Sequence, residues 1–407
     1  MDKKVYIITN FNPMPYLRKS INHYLNMNKI FIINYYNDIL IEEHNLNNAE
    51  KIIIFLRIEE FLYNCNNKIS NYYIELCDNL YSAHRRARLG KRWKKEVIEF
   101  EMNLSENLWK LHYDLKYKKY KPDGYHTFKI YDPKERVIQA TSYRDRILQH
   151  ALCDCYLLPL LERHLIYDNC ACRKGKGTRH AICRLKEFMR RFFYLHHNNG
   201  YIIKYDIKKY FPNIDHLLLK NKLKQIIHNE DILWVLFTII DSFASDSGKG
   251  LPMGNQTSQC FALLYLDSLD RYIKETKGIK YYVRYMDDGV LFVNDKKEAK
   301  NILSKIKIIV EENKLSLNPK SQIIKYKNGF SFLGWTFSQT ETGRIIRKVK
   351  RDSKRRIIRK IEYKNKLFRN LKIDYKDLLM SYNSYLSHYK AINSIQKRIN
   401  IMLNLPL

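Results

Sequence analysis

Two adjacent carboxylates, Asp287 and Asp288, close the segment Tyr285-Met286-Asp287-Asp288, which lies between the apolar runs Tyr281-Tyr282-Val283 and Val290-Leu291-Phe292-Val293. Alternation on both sides of a short polar break predicts a β-hairpin with the aspartates at its tip. Negative charges held side by side in a tight turn are costly unless a cation neutralises them. The pair therefore suits a divalent metal and the phosphoryl transfer that such metals support. A third carboxylate, Asp206, ends the apolar strand Tyr201-Ile202-Ile203-Lys204-Tyr205-Asp206. It would complete a two-ion Mg²⁺ site, with Mn²⁺ as a substitute, whose ions sit roughly 3.5–4 Å apart and clamp an in-line displacement. Phe211 follows shortly after Asp206, near enough along the chain to police the 2′ position of a bound sugar.

Each of these signals also has a plainer reading. Asp-Asp-Gly is a favoured turn composition, and a lone strand-end Asp followed by aromatics would more simply cap a helix. The loop Gly250-Leu251-Pro252-Met253-Gly254-Asn255-Gln256-Thr257-Ser258-Gln259 leads into an apolar helix expected over Cys260–Leu269. Glycine there lets backbone N–H groups approach an anion, yet glycines before helices are common. The order of the three elements gives them weight, because the glycine loop stands between the two carboxylate segments.

The remaining sequence must position these groups. With 407 residues the chain exceeds what one compact core usually holds, so two or three domains are expected. Lys and Arg number 73 against 42 Asp and Glu, a net charge of +31 that favours a polyanion, either nucleic acid or an anionic membrane. No run of uninterrupted apolar residues is long enough to span a bilayer and no signal-peptide pattern opens the chain. Nucleic acid and a cytoplasmic location are the expectations that remain. Eight cysteines fit a reducing compartment. Cys153-Asp154-Cys155 and Cys170-Ala171-Cys172 lie near His150, His164 and His180, but their spacing is too short for the usual zinc knuckle. Cys153 and Cys155 also lie in the apolar run Ala151 to Leu161, where cysteine is a small core residue.

Residues 1–75 read as a small α/β extension: strand Val5–Thr9, helix Tyr16–Leu25, strand Ile30–Asn34 and an apolar segment Ile52–Leu62, resembling a βαβ element plus a helix. It has no Gly-rich phosphate loop. A basic run from His84 to Lys95 with Trp93 embedded offers Arg85, Arg86, Arg88, Lys91 and Arg92 to phosphates. A helix Val97–Leu115 and strands Tyr125–Ile130 and Arg136–Ala140 follow. From about Gly343 the tail is expected to be helical and very basic.

From about residue 80 to 400 the order of these elements resembles a reverse transcriptase. Asp206 resembles its first metal-binding motif, Leu251–Gln259 its nucleotide-pocket loop, and Tyr285-Met286-Asp287-Asp288 its YxDD signature. Leu315-Ser316-Leu317-Asn318-Pro319-Lys320-Ser321 resembles the next motif, and Phe332-Leu333-Gly334-Trp335 the primer-grip hairpin. Arg136, Tyr143-Arg144-Asp145-Arg146 and Arg173-Lys174-Gly175-Lys176-Gly177-Thr178 look like parts of the fingers. The resemblance implies an α+β right-hand polymerase: fingers and basic helices over 76–200, palm over 201–342 and a basic helical thumb over 343–407. It implies that Asp206, Asp287, Asp288 and the main-chain carbonyl of Ile207 hold two Mg²⁺, and that Lys320 protonates the pyrophosphate. Arg136 would meet the triphosphate, with Phe211, Met253, Gly254 and Gln259 shaping the pocket. Arg173, Lys174, Lys176, Trp335, Arg347, Lys348, Lys350 and Arg351 would contact template RNA and the RNA/DNA hybrid.

Within that family, Met253 before Gly254 and the closing Ser258-Gln259 resemble reverse transcriptases of diversity-generating retroelements, relatives of group II intron and retron enzymes. So do Arg144-Asp145-Arg146 with Gln149–Cys153, Tyr167–Thr178 and Tyr385-Leu386-Ser387-His388-Tyr389. Such enzymes copy a structured template RNA into cDNA mutated at adenines, for mutagenic retrohoming, with a small helical accessory protein. Met has no donor with which to fix an incoming dNTP as Gln would, and looser positioning weakens discrimination. Two alternatives stand beside this reading. One is a defence-associated or retron-like reverse transcriptase, suggested by residues 1–75; the other is a catalytically idle RNA-binding scaffold, suggested by charge alone.

Overall fold

A computed structural model describes residues 31–35, 38–42, 71–131, 135–243 and 248–389. The chain forms two compact units, one from residues 1–164 with 211–264 and one from residues 165–210 with 265–407. Helices and antiparallel strands are mixed in both, so the class is α+β. Among the described residues no helix is long and apolar enough to cross a membrane.

In the first unit, β1 (Phe31–Tyr35) and β2 (Asp38–Glu42) form an antiparallel hairpin, with Phe31 opposite Glu42 and Tyr35 opposite Asp38. The strand expected at Ile30–Asn34 is there, displaced by one residue, but a second strand follows it at once. Ile39-Leu40-Ile41 is a short β-branched run that the β-α-β reading overlooked, and so short a connection permits only antiparallel pairing. Val5–Thr9, Tyr16–Leu25 and Ile52–Leu62 lie outside the described residues.

The single helix expected over Val97–Leu115 is two helices, Lys95–Met102 and Leu104–Lys116. Asn103 leaves the helical region (φ −123°, ψ 47°), a departure that costs a residue of poor helix propensity little. Its carbonyl accepts the N–H of Asn107 at 2.9 Å and so starts the next helix. Then β3 (Tyr125–Ile130) and β4 (Arg136–Thr141) pair as the sequence predicts, Ile130 opposite Arg136. Ser142 caps the helix Tyr143–Leu152, its hydroxyl accepting the N–H of Asp145 at 3.1 Å. Cys153 is fully buried and sits 3.8 Å from the sulfur of Cys260, which is how a core cysteine packs. The helix expected over Cys260–Leu269 runs from Gln256 to Tyr265.

The second unit is built on a four-stranded antiparallel sheet. Its strands are β5 (Tyr201–Asp206), β6 (Tyr282–Tyr285), β7 (Asp288–Val293) and β8 (Gln322–Lys325), in the order β6-β7-β5-β8. The helix Thr178–His196 buries Ala181, Ile182, Leu185, Phe188, Met189 and Phe192, a stripe at helical spacing. That stripe shares a core with Ile202, Val290 and Phe292 from β5 and β7. Each large apolar side chain there contributes roughly 1.5–3 kcal/mol, so the sheet is anchored along its length. A second sheet holds β9 (Phe330–Phe332), β10 (Trp335–Gln339) and β11 (Ile345–Val349), in the order β11-β10-β9. The tail therefore does not begin as a helix. Ile345 and Val349 bracket a strand that pairs along β10, and the basic helix starts at Arg351 and ends at Arg369.

Candidate metal-binding carboxylate site

Asp206 and Asp288 face each other across β5 and β7, because the antiparallel register pairs Tyr201 with Val293 and so ends on these two residues. Tyr285 pairs with Asp288 across β6 and β7, which leaves Met286 and Asp287 as the turn. All three aspartates thus meet at one end of the sheet. Period-two alternation puts Lys204, Asp206 and Asp288 on one face and Tyr205 and Gly289 on the other. The main chain closes the end further: Ile207 donates its N–H to the carbonyl of Asp287 at 3.3 Å.

The turn lies one step earlier than an Asp-Asp-Gly turn would, since Asp288 and Gly289 already belong to β7. Gly289 is not its positive-φ residue; Met286 is, at φ 56°. A side chain in this region costs about 1 kcal/mol, and a buried cation holds it there. Arg284 is fully buried, and its Nη1 donates to the carbonyl of Met286 at 2.9 Å. The rest of its guanidinium forks onto Asp270, with Nε to Oδ1 at 2.8 Å and Nη2 to Oδ2 at 2.7 Å. Tyr282 donates to the same carboxylate at 2.6 Å, and the Tyr205 hydroxyl lies 2.6 Å from that of Tyr282. Glycine at 289 is required by this network, since a Cβ there would run into the Tyr205 ring.

Burial drives the electrostatics of the aspartates. It raises the Asp287 carboxyl to about 7, and the charges of Asp288 and Asp206 push in the same direction. Burial likewise lifts Asp288 to about 6, with Asp206 adding to the rise while Lys204 and Lys350 oppose it. Among the described residues no three His, Cys, Asp or Glu side chains already stand in an arrangement that could hold an ion. Three carboxylates brought to one sheet end repel one another when ionised, and a divalent cation is what would offset that repulsion. Hard carboxylate oxygens at a sheet end, with raised proton affinity and no thiolate or imidazole among them, fit Mg²⁺ or Mn²⁺.

The segment Leu315–Ser321 runs beside this end of the sheet. Leu317 bridges to Ile207, and Lys208 donates its N–H to the carbonyl of Ser316 at 2.9 Å. Asn318 donates from Nδ2 to Asp206 Oδ2 at 2.7 Å, a contact the sequence did not reveal. Lys320 follows on the same loop, exposed, with its N–H donating to Asn318 Oδ1 at 3.1 Å.

Other predicted contact residues of this unit divide. Arg173 is turned inward, its Nη1 donating to the carbonyls of Ile166 at 2.7 Å and Asn169 at 2.9 Å. Lys176 donates to the carbonyl of Tyr167 at 2.8 Å, while Lys174 is exposed. Their loop is docked on the hairpin, since Asn169 bridges to Arg284 and Thr178 Oγ1 donates to the Tyr285 hydroxyl at 3.3 Å. Trp335 is largely buried under the guanidinium of Arg347, 4.1 Å from its ring centre. Lys348, Lys350 and Arg351 are exposed, and Lys350 is among the cations acting on Asp288.

Residues expected to shape a nucleotide pocket gather in the other unit. Gly254 takes φ 125°, and a Cβ there would touch Ile138 and Gln139 of β4, the strand that starts with exposed Arg136. Leu251 donates its N–H to the carbonyl of Phe211 at 2.9 Å. His216 Nε2 lies 2.7 Å from the carbonyl of Gly250 and fixes the start of the same loop. Met253 is half-buried and Gln259 exposed. In the amino-terminal basic run, Arg86 pairs with Asp154 at 2.6 Å and Arg88 with Glu101 at 2.6 Å. Arg85 and Arg92 are exposed and Lys91 half-buried.

A model of the reverse transcriptase (RNA-dependent DNA polymerase) family matches residues 121–337, more than half of the chain. The COX1/OXI3 intron 2 protein of Saccharomyces cerevisiae is 22% identical over 281 residues, covering 53% of this chain and 31% of that protein. The chain thus matches about a third of that relative's length. Among solved structures, apo telomerase of Candida tropicalis truncated of its C-terminal domain is 15% identical, with a TM-score of 0.41 and 60% of each chain covered. Telomerase of Candida albicans in complex with a TWJ fragment of telomeric RNA is 14% identical, with a TM-score of 0.42, covering 64% of this chain and 55% of that one.

Proposed function

The chain belongs to the reverse transcriptase (RNA-dependent DNA polymerase) family, and we propose that it is an RNA-directed DNA polymerase that copies a structured template RNA into cDNA with errors at template adenines. The observation that carries the reading is the register that puts Asp206 opposite Asp288 with Asp287 in the turn between strands. Asp206, Asp287, Asp288 and the carbonyl of Ile207 are the groups that would hold two Mg²⁺ ions. Held by these residues, such ions would supply the charge neutralisation that an in-line phosphoryl displacement needs.

The chain's own residues then supply placement and protons. Lys320, exposed on its loop, donates a proton to the departing pyrophosphate. Arg136 meets the triphosphate, and Phe211 screens the sugar. Met253, with no donor to offer the nucleotide, leaves it less firmly oriented than a Gln would. The fingers, palm and thumb of a right-hand polymerase correspond in this proposal to residues 76–200, 201–342 and 343–407. The diversity-generating assignment, with its small helical accessory protein, rests on Met253 and Ser258-Gln259.

Primer extension on a defined RNA template with Mg²⁺, every product sequenced, tests this reading. Asp287→Ala should abolish incorporation while RNA binding persists. Wild-type errors should concentrate opposite template adenines, and Met253→Gln should reduce them by roughly tenfold, the worth of about 1–3 kcal/mol of pocket contact. Synthesis by Asp287→Ala would sink the mechanism. Accurate copying of adenines by the wild type would leave the polymerase and move the biology to a retron-like or defence role.

A further inference from the structure

We propose that Asn318 is a positioning residue that couples the metal-binding carboxylate of Asp206 to the loop carrying Lys320. The inference rests on the proposed roles of those two residues. One amide side chain makes both connections. Its Nδ2 donates to Asp206 Oδ2 at 2.7 Å, and its Oδ1 accepts the N–H of Lys320 at 3.1 Å. Its main chain repeats the attachment: Asn318 N–H donates to the carbonyl of Asp206 at 2.7 Å, and the Asn318 carbonyl accepts the N–H of Ser321 at 2.8 Å. Ser321 also receives the N–H of Asp206 on its hydroxyl at 3.1 Å.

The chemistry requires an amide at this position. A neutral donor occupies Oδ2 and fixes the carboxylate plane, leaving Oδ1 directed to other partners. A lysine would compete with the metal as a cation, and an aspartate would repel Asp206 while offering no donor. Because the acceptor half of the same amide holds the turn before Lys320, a change in the Asp206 rotamer is transmitted to the lysine. Partners in the shell around a metal commonly influence affinity by tenfold or more through such orientation.

The full chain is titrated with Mn²⁺ by electron paramagnetic resonance, and single-turnover incorporation is measured against Mg²⁺. Asn318→Ala should weaken Mn²⁺ binding by about tenfold and slow incorporation at saturating Mg²⁺. Combined with Lys320→Ala, it should slow that step by less than the product of the single effects. Asn318→Ser keeps an oxygen for the Lys320 turn but is too short for Asp206. It should weaken Mn²⁺ binding as Asn318→Ala does while retaining more of the rate, and it carries the test if the alanine variant fails to fold. Ser321→Ala removes the hydroxyl that accepts the Asp206 N–H but leaves the Asn318 contact to the carboxylate, and so separates main-chain attachment of the loop from positioning of the carboxylate. Unchanged Mn²⁺ affinity in folded Asn318 variants, or an equal loss in Ser321→Ala, would overturn the proposal. Those results leave the polymerase reading intact provided the wild type binds Mn²⁺ and Asp287→Ala does not. If the wild type binds none, both fall.

Discussion

Replacing Asp287 with Asn should make the metal-free protein more stable and catalytically dead, a trade whose size follows from the buried carboxyl. Its pKa is about 7 in the folded chain against 3.8 for an ordinary aspartate. An aspartate whose pKa is raised on folding binds more protons folded than unfolded, so stability falls as pH climbs between those two values. At ~1.4 kcal/mol per pKa unit the ceiling is about 4 kcal/mol at pH 8. The side chain is only partly shielded from water, and dielectric relaxation leaves roughly 1–2 kcal/mol. For a unit of this size that is a rise of roughly 2–8 °C in melting temperature. Thermal unfolding in EDTA should show Asp287→Asn melting above wild type at pH 8, with the gap closing toward pH 4. Excess Mg²⁺ should raise the wild type alone, by about 2.7 kcal/mol at a hundred times its dissociation constant. If Asp287→Asn melts below wild type at pH 8 without metal, the claim that crowded, buried carboxylates await a cation is wrong.

Three further outcomes follow from the same geometry. Arg284→Met strips the guanidinium from buried Asp270 and leaves the Met286 carbonyl without its donor, which should cost about 3–5 kcal/mol by urea unfolding. Gly289→Ala should cost about 2 kcal/mol or more through overlap with Tyr205, with part of that recovered when Tyr205→Leu is added. On the helix Arg351–Arg369, reversing Arg355 and Arg359 to Glu should lower the slope of log affinity for RNA against log salt by about 0.7 for each single-strand phosphate no longer neutralised; an unchanged slope would place RNA elsewhere.

Much of this site was legible because period-two alternation is a strong signal. The strand Tyr201–Asp206 and the pairing of β3 with β4 emerged within a residue of their predicted bounds. Failures came where one local pattern was extended too far. Basic density suggested a helix at Arg344–Val349, but Ile345, Arg347 and Val349 alternate with Ile346 and Lys348 as a strand does. Apolar spacing joined two helices across Asn103, whose weak propensity was the missed cue. Charge was the least specific signal. Arg173 and Lys176 read as phosphate contacts, and the structure adds that Arg173 Nη1 and Lys176 Nζ each donate to a carbonyl of their own loop. A side chain's partners are set by tertiary neighbours, and basic composition cannot distinguish a solvated cation from a structural staple.

The buried pair Arg284–Asp270 had a signal that could have been used. A lone arginine between Val283 and Tyr285 in an apolar strand must face solvent or find an anion. Here it faces inward, and the consequence lies on the opposite side of the sheet. Asp288 and Asp206 occupy one face; on the other, Tyr205 fills the space over Gly289 and reaches Tyr282, Asp270 and, through them, Arg284. Arg284 then holds the carbonyl of Met286 and keeps that residue in the left-handed region. Without this anchor the turn could relax by moving Met286, and Asp287 would move with it. The glycine beside the aspartates therefore serves the hidden face of the hairpin. Its absent side chain admits the tyrosine that completes the network holding the turn.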